Sequence, residues 1–244
     1  ASEKRKIYHI SMLPLMVTSA LAFRVPPPVM QFGGGNPFDG LKNPFADKSD
    51  GATTISLTVG FRIGERGPKS VLGQLDDLAA NADTNSANGI ARLCGDTALL
   101  LLRREREWLS CAGTAMHYGD DEEALSAFDR ISVNEAAKFD DRDSSATVDA
   151  ALKSAGLASD SSGPPTMAVV CLVACVMGDR EAEVTKGDFS GDARRMKASL
   201  QELAAAGNGD EEVFGFELFW VPGEDNEVLD QDEVMLDWPE LMPC

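Results

Sequence analysis

Residues 167–177 read MAVVCLVACVM, an unbroken apolar run of eleven residues. The run is too short to cross a bilayer as a helix, which takes about 20 residues. Its valines favour a β-strand, and a strand that is apolar at every position is covered on both faces. We therefore predict a central strand that places Cys171 and Cys175 in the core. Their separation along a strand, about 13 Å, is too long for a disulfide.

Two further strands are indicated on either side of this run. From Ile55 to Ile63, apolar side chains alternate strictly with small or polar ones, which is typical of a strand with one buried and one polar face. Residues 213–221 carry Phe and Leu side chains on one face and Glu217 on the other. The three predicted strands span residues 53–63, 166–177 and 213–221.

Helical periodicity fills most of the roughly hundred residues between the first two strands. In this interpretation Trp108 anchors the end of a helix and His117 lies in a loop between helices. Ser132 and Glu135 have the spacing of a capping box, which predicts that a helix restarts there. A further helix precedes the third strand. The predicted helices cover residues 71–82, 87–102, 120–131, 132–139, 147–155 and 190–206.

Together these elements predict an α+β domain: a small three-stranded sheet covered by a multi-helix insertion between strands one and two. The first strand is expected at an edge, and the second and third are expected to be joined by a right-handed parallel crossover. The domain would span residues 53–222. Around it we expect a signal or presequence over residues 1–24, a Gly/Pro/Phe-rich linker over 25–52 and an acidic C-terminal segment over 223–244 that packs on the domain or a partner.

Charge excludes some classes of partner. With 22 Lys+Arg against 40 Asp+Glu, the net charge of −18 opposes binding to nucleic acid or to an anionic lipid surface. Between Asp210 and Cys244 there are 12 acidic residues and no basic one. Apolar residues among these carboxylates argue against a disordered tail. The candidate partner-binding residues are Asp225, Glu227, Asp230, Asp232, Glu233 and Trp238.

The N-terminal residues have the layout of a targeting signal. Basic residues 4–6 precede the apolar stretch 10–22, which ends in a small-residue pattern before Phe23. This order is similar to the two-part presequence of plastids enclosed by several membranes, and an ordinary secretory signal is the alternative. Five cysteines, an odd number in a chain of 244 residues, favour a reducing compartment over a disulfide framework.

The sequence holds no strong catalytic or metal motif. Its two histidines, His9 and His117, do not have the spacing of a zinc site or of a nucleophilic triad. The carboxylates of 225–233 lack the central glycine of a calcium loop, so only weak cation screening is expected there. We predict no catalytic residue, no metal and no cofactor. A hydrolytic or thiol-dependent enzyme remains the alternative, and a deep pocket lined by His117, a cysteine or facing carboxylates would support it.

Taken in order, these elements resemble an uncharacterised cyanobacterial and chloroplast protein family that includes the plant fluctuating-light acclimation protein. The resemblance covers about residues 53 to 243. The segments that carry it are the opening strand ISLTVGF (55–61), LDDLA (75–79), TALLLLR (97–103) ending at Trp108, AVVCLVA (168–174), FELFWVP (216–222) and the closing Asp232 to Leu241.

The resemblance implies a plastid protein of the photosynthetic membrane that tunes photoprotection when light fluctuates, and it supplies no catalytic residues. Family members usually carry a transmembrane helix between a Gly-rich segment and the domain, whereas here Gly33–Gly35 lead through Asn-Pro-Phe turns to the first strand. We therefore expect a non-enzymatic protein held at the stromal face of the thylakoid by a basic protein surface. A peripheral stromal subunit of a photosystem–antenna supercomplex is the alternative within this class.

Overall fold

The computed structural model describes residues 9–10, 51–64, 67–154, 167–180, 186–208, 212–223, 228–229 and 231–244, and within the helix at 140–154 it describes the backbone alone. The predicted presequence and linker lie outside these residues except for His9, Ile10, Gly51 and Ala52. The elements, in chain order, are β1 (His9–Ile10), β2 (Ala52–Arg62), α1 (Val71–Asn81), α2 (Ala87–Arg103), a 3-10 turn (Glu105–Glu107), β3 (Trp108–Tyr118), α3 (Asp121–Ser154), β4 (Met167–Met177), β5 (Phe189–Ser190), α4 (Ala193–Ala206), β6 (Val213–Val221), α5 (Gln231–Asp237) and β7 (Met242–Pro243).

One antiparallel sheet contains every described strand. Its long strands lie in the order β6-β4-β2-β3, with β1 beside β6 and with β5 and β7 both along the outer edge of β3. The prediction of a small three-stranded sheet is therefore wrong, although the domain is α+β. The predicted edge position of the first strand is also wrong, because β2 pairs with both β3 and β4. Since β4 and β6 are antiparallel, the predicted parallel crossover between them is wrong as well.

The strand that the sequence did not reveal is β3. Its residues WLSCAGTAMHY are mostly small, with a single β-branched side chain, so neither alternation nor β-propensity marks them. Side chains of neighbouring elements pack so closely against β3 that larger residues would not fit. A Cβ added at Gly113, for example, would lie 2.7 Å from the ring of Phe189. Because the sequence does not mark β3 as a strand, the predictions of a helix end at Trp108 and of a loop at His117 are wrong. Trp108 begins the strand, and its Nε1–H donates to Leu101 O over 3.2 Å.

Helices cover both faces of the sheet. One face of β2 and β4 packs against α1, α2 and α4, and the other packs against α3 and the chain after β6. β4 is buried at nine consecutive positions, which confirms the predicted central strand and its core thiols. The polar face of β2 is also buried, contrary to the simple alternation argument. Its Thr54 hydroxyl is satisfied by donating to Ala124 O of α3 over 3.0 Å.

The helices α1 and α2 confirm the sequence prediction, and each begins at a serine that caps it. Ser70 accepts from Gly73 N–H and Ser86 accepts from Gly89 N–H, both over 3.1 Å. The predicted restart at Ser132 is wrong, because α3 runs unbroken through that position and the Ser132 hydroxyl is buried inside it. A capping box is a local signal, and here burial of the helix against the sheet overrides it.

Candidate functional site

After β6 the chain returns across the α3 side of the sheet and is anchored there by apolar side chains. Leu229 and Trp238 are fully buried and Val234 is 4% exposed. The indole of Trp238 meets the ring of Phe139 edge-on at a centroid distance of 5.2 Å. Phe139 in turn stacks on Phe219 of β6 at 5.5 Å. Leu229, Val234 and Trp238 therefore pack on the domain.

An ion network holds the same segment to α3. Lys138 Nζ lies 2.5 Å from Glu240 Oε1 and 3.0 Å from the Glu135 carboxylate. Burial acts to lower the pKa of Lys138, but the hydrogen bonds and charges of Glu240 and Glu135 outweigh it and raise the pKa above its ordinary value. Beneath the network, the Cys171 thiol donates to Glu135 Oε2 over 3.6 Å. Lys138 thus remains a cation that ties the C-terminal segment to the helix.

The short helix α5 has two sides of opposite character. Val234 on α5 and Trp238, the residue that follows the helix, lie four positions apart, and both are buried. On the outer side Asp232 is exposed, Met235 is 56% exposed and Leu236 is 80% exposed. We call the exposed group Asp232, Met235 and Leu236 the α5 surface. It combines an acidic side chain with two large apolar side chains that are exposed to solvent.

The structure separates the predicted partner-binding residues. Asp225, Glu227 and Asp230 lie outside the described residues. Asp232 and Glu233 are on α5, but Trp238 is in the core and cannot touch a partner without leaving it. Sequence reasoning missed Met235 and Leu236 as surface residues. The signal was the i, i+4 spacing of Val234 and Trp238, which assigns the inner side of a helix and leaves positions 235 and 236 outside.

A cleft of about 870 Å³ lies between α1 and α2, on the opposite side of the sheet from α5. Its lining includes the carboxylates of Asp77 on α1 and Asp96 on α2, with Arg92 and Arg103. Asp96 lies 3.6 Å from Arg92 as an exposed i, i+4 pair. At the cleft's rim, hydrogen bonds from Ser86 and then from the Asn85 backbone lower the pKa of Asp83. The cleft therefore carries one carboxylate on each of the two helices, and the Asp96 carboxylate is paired with Arg92.

The buried thiols have the electrostatics of core residues. Burial raises the pKa of Cys94 and of Cys175 to about 12. Burial, and next the charge of Glu135, raises the pKa of Cys171 well above its ordinary value. A protonated thiol is a poor nucleophile and a poor metal ligand. These three cysteines are thus packed as small apolar side chains.

His117 lies on β3, where its Nδ1 is 3.5 Å from Thr53 Oγ1. The cleft between α1 and α2 is lined by other residues. Within the described ranges, no three His, Cys, Asp or Glu side chains gather as they would around a metal ion. In the same ranges, no helix has the length and apolar character needed to cross a membrane.

Comparison with known proteins assigns the chain to a family. The model of the family described as "Protein of unknown function (DUF1517)" matches residues 51–244, and the chain belongs to that family. A curated relative from the cyanobacterium Synechocystis sp., "Protein FLAP1 homolog A", is 25% identical over 225 residues. The alignment covers 86% of this chain and 62% of the relative, so the chain spans less than two thirds of that protein's length. No solved structure matches the chain.

These matches confirm the resemblance to the cyanobacterial and chloroplast family that includes the fluctuating-light acclimation protein. The matched residues begin just before β2 and include α5 and β7. The C-terminal segment is therefore part of what the family model describes.

Proposed function

We propose that this protein acts in the acclimation of the photosynthetic apparatus to changing light, as a non-enzymatic plastid protein. In this proposal it binds a basic segment of a thylakoid membrane protein through the α5 surface and so modulates photoprotection. Membership of the family and the likeness to a FLAP1 homologue support the light-related role. The single observation that carries the binding role is the exposure of Met235 and Leu236 beside carboxylates on a helix whose other side is anchored in the core.

The acidic charge of residues 210–244 indicates what kind of partner would bind. Residues 210–244 carry 12 acidic and no basic side chains, so a basic segment is attracted to this end of the domain and anionic lipid is repelled. Dissolved cations could neutralise the acidic side chains without any protein partner. Met235 and Leu236 add apolar area whose removal from water favours a bound protein segment over dissolved ions. The partner is therefore expected to offer both a cationic and an apolar side chain.

Anchoring of α5 makes the surface suitable for recognition. Trp238 and Val234 hold the inner side of the helix in the core, and Lys138 holds the chain just after it through Glu240. A surface fixed in this way loses little conformational entropy when it binds. A flexible acidic tail would pay that cost for each ordered residue.

A photosynthetic host without its own family member tests the role. The strain is complemented with the wild-type chain, with Asp232→Lys plus Leu236→Gln, or with the control Asp77→Lys on α1. We expect the wild type and the control to restore the normal course of chlorophyll-fluorescence quenching under alternating light, and the α5 variant to fail at equal protein level. If the α5 variant restores quenching fully, the α5 surface is not the site. If none of the three changes quenching, the light-related role itself is wrong.

A second candidate is a hydrolytic activity in the α1–α2 cleft, which the carboxylates of Asp77 and Asp96 on facing helices favour. It is tested in the same assay, where failure of the Asp77→Lys control would also point to the cleft. Asp77→Asn plus Asp96→Asn should abolish function in the complementation assay if the cleft is an active site. Under the non-enzymatic proposal, the same double variant leaves quenching unchanged.

A further inference from the structure

A pair of cysteines lies where β7 joins the outer edge of β3. In the antiparallel register, Cys111 stands opposite Met242 and Ser110 stands opposite Pro243. The pairing continues one step further, because Cys244 N–H donates to Leu109 O over 3.1 Å. Side chains two residues apart on a strand share a face, so Cys244 lies on the same face as Met242 and Cys111. The register thus makes the two cysteines diagonal neighbours across the strand pair.

The two thiols are in contact and differ in character. Cys111 is fully buried and Cys244 is exposed. The hydrogen bond that joins them raises the pKa of Cys111, with burial as the second cause. The same bond lowers the pKa of Cys244, while burial and the charge of Asp192 oppose that shift. The proton therefore stays on Cys111, and Cys244 is the accessible sulfur that reaches the thiolate form more easily.

We propose that Cys111 and Cys244 form a reversible disulfide that fastens β7 to β3. The oxidant is a small disulfide of the glutathione class. The Cys244 thiolate attacks one sulfur of that disulfide, forms a mixed disulfide and releases one small thiolate. Cys111 then loses its proton, attacks Cys244 Sγ and displaces the second small thiol. Two protein thiols are oxidised by two electrons, and one small disulfide is reduced to two thiols.

Geometry allows the bond with a small adjustment. A disulfide needs Cα atoms within about 7 Å, and diagonal neighbours on an antiparallel pair lie about 7–8 Å apart. Cys244 follows the last residue of β7, so it can close this gap while β3 stays in place. The other cysteine pair on one face of the sheet, Cys171 and Cys175, lies along a single strand and cannot be bridged.

The disulfide acts on the segment that carries the α5 surface. Only residues 238–241 separate α5 from β7, and within them Leu241 N–H donates to Trp238 O over 3.0 Å. Fastening β7 therefore fixes the chain that follows α5. Formation of the disulfide is independent of the proposed function, whereas its effect on partner binding rests on that function.

Oxidation of the purified full chain tests the proposal. The reduced protein is incubated with oxidised glutathione, free thiols are blocked by alkylation, and the digest is analysed by mass spectrometry without reduction. We expect one peptide pair linked through Cys111 and Cys244 within one chain, and reversal by dithiothreitol. The oxidised protein should melt about 5–10 °C higher than the reduced protein, since the bond closes a long loop.

Variants separate the disulfide from other effects of oxidation. In Cys244→Ser, whose altered side chain is exposed, both the linked peptides and the rise in melting temperature should be absent. In the control Cys175→Ala, which removes a thiol outside the pair, both should remain. A glutathione adduct at Cys244 without linkage to Cys111, a link between two chains, or recovery of all cysteines in alkylated form would each overturn the proposal. None of these outcomes depends on whether the α5 surface binds a partner.

Discussion

The edge of the Trp238 indole packs against the ring of Phe139 on α3, with the ring centroids 5.2 Å apart. Phe139 also stacks on Phe219 of the sheet, so the three aromatic rings connect the C-terminal segment, a helix and a strand. These ring contacts fix the acidic C-terminal segment against the domain. The largest apolar side chain of the segment is buried in the core, whereas Met235 and Leu236 on α5 are exposed to water.

Replacing Trp238 tests whether that side chain is structural. Trp238→Ala should lower the free energy of unfolding by about 3–5 kcal/mol, since it empties a fully buried site. Urea unfolding followed by circular dichroism measures the change. The matched variant Leu236→Ala, at an 80% exposed position of the same segment, should change it by no more than about 0.5 kcal/mol. Equal effects of the two variants would show that Trp238 is not buried in solution.

The Lys138 network makes a smaller, salt-dependent contribution. Lys138→Met should destabilise the domain by about 1 kcal/mol at low salt, because Lys138 neutralises both Glu240 and Glu135 and its side chain is only 27% exposed. Raising the salt concentration should reduce the difference from wild type. Lys197→Met removes the 2.8 Å pair with Glu105, where both side chains are 45% exposed, and should have almost no effect. Identical losses for the two variants would refute a special role for Lys138.

Raising the pH above 9 should lower the free energy of unfolding, because the buried thiols stay protonated in the folded protein. The pKa of Cys94 is raised by burial to about 12, from 9.0. Its contribution to stability is therefore complete below about pH 9 and is lost as the pH rises towards 12, because the unfolded chain releases its proton first. In Cys94→Ala, the fall in unfolding free energy above pH 9 should be shallower by up to about 1.4 kcal/mol per pH unit.

Urea titrations between pH 8 and 10.5 measure that slope. Cys94→Ala also leaves a cavity, which lowers stability equally at every pH and does not alter the slope. Cys244→Ser is the control, because the pKa of Cys244 is lowered and its side chain is exposed. The Cys244 variant should keep the wild-type fall above pH 9. If Cys94→Ala shows the same fall in unfolding free energy above pH 9 as the wild type, burial does not keep Cys94 protonated.

The crossing of α2 and α4 depends on two glycines. A Cβ added at Gly207 would lie 2.4 Å from the Cα of Gly95 and 2.6 Å from Ala91 O, and neither backbone atom can rotate away. Gly207→Ala should cost about 1–3 kcal/mol, because the helices must separate. Gly119→Ala, where no atom lies within 4 Å of the added Cβ, should be close to neutral. Thermal unfolding of both variants makes the comparison.

Sequence reasoning succeeded where one residue pattern dominates. The apolar run of β4, the alternation of β2 and the stripes of α1 and α2 all appear in the structure within one or two residues of their predicted bounds. It failed at β3, because a strand in which more than half of the residues are small carries no clear periodic signal. Missing β3 also misplaced β2, since the partner on its second edge was unknown and β2 was assigned to an edge.

For the candidate site, the sequence identified the acidic segment but not its orientation. Charge is additive along the chain and can be counted, whereas burial of Trp238 depends on Phe139, a residue 99 positions earlier in the sequence. The contact between Cys111 and Cys244 depends likewise on the register of β7 against β3. Long-range packing of this kind is set by the whole fold and leaves no local pattern.

Sedimentation with isolated thylakoid membranes tests the central claim, that the α5 surface binds a basic membrane protein. We expect wild type and Asp77→Lys to bind equally, Asp232→Lys and Leu236→Gln each to bind about tenfold more weakly, or about 1.4 kcal/mol, and salt to weaken the binding. Protein-free vesicles of thylakoid lipids should bind none of them. Undiminished binding of Asp232→Lys and Leu236→Gln, or equal binding to the vesicles, would show that the α5 surface does not bind a basic membrane protein.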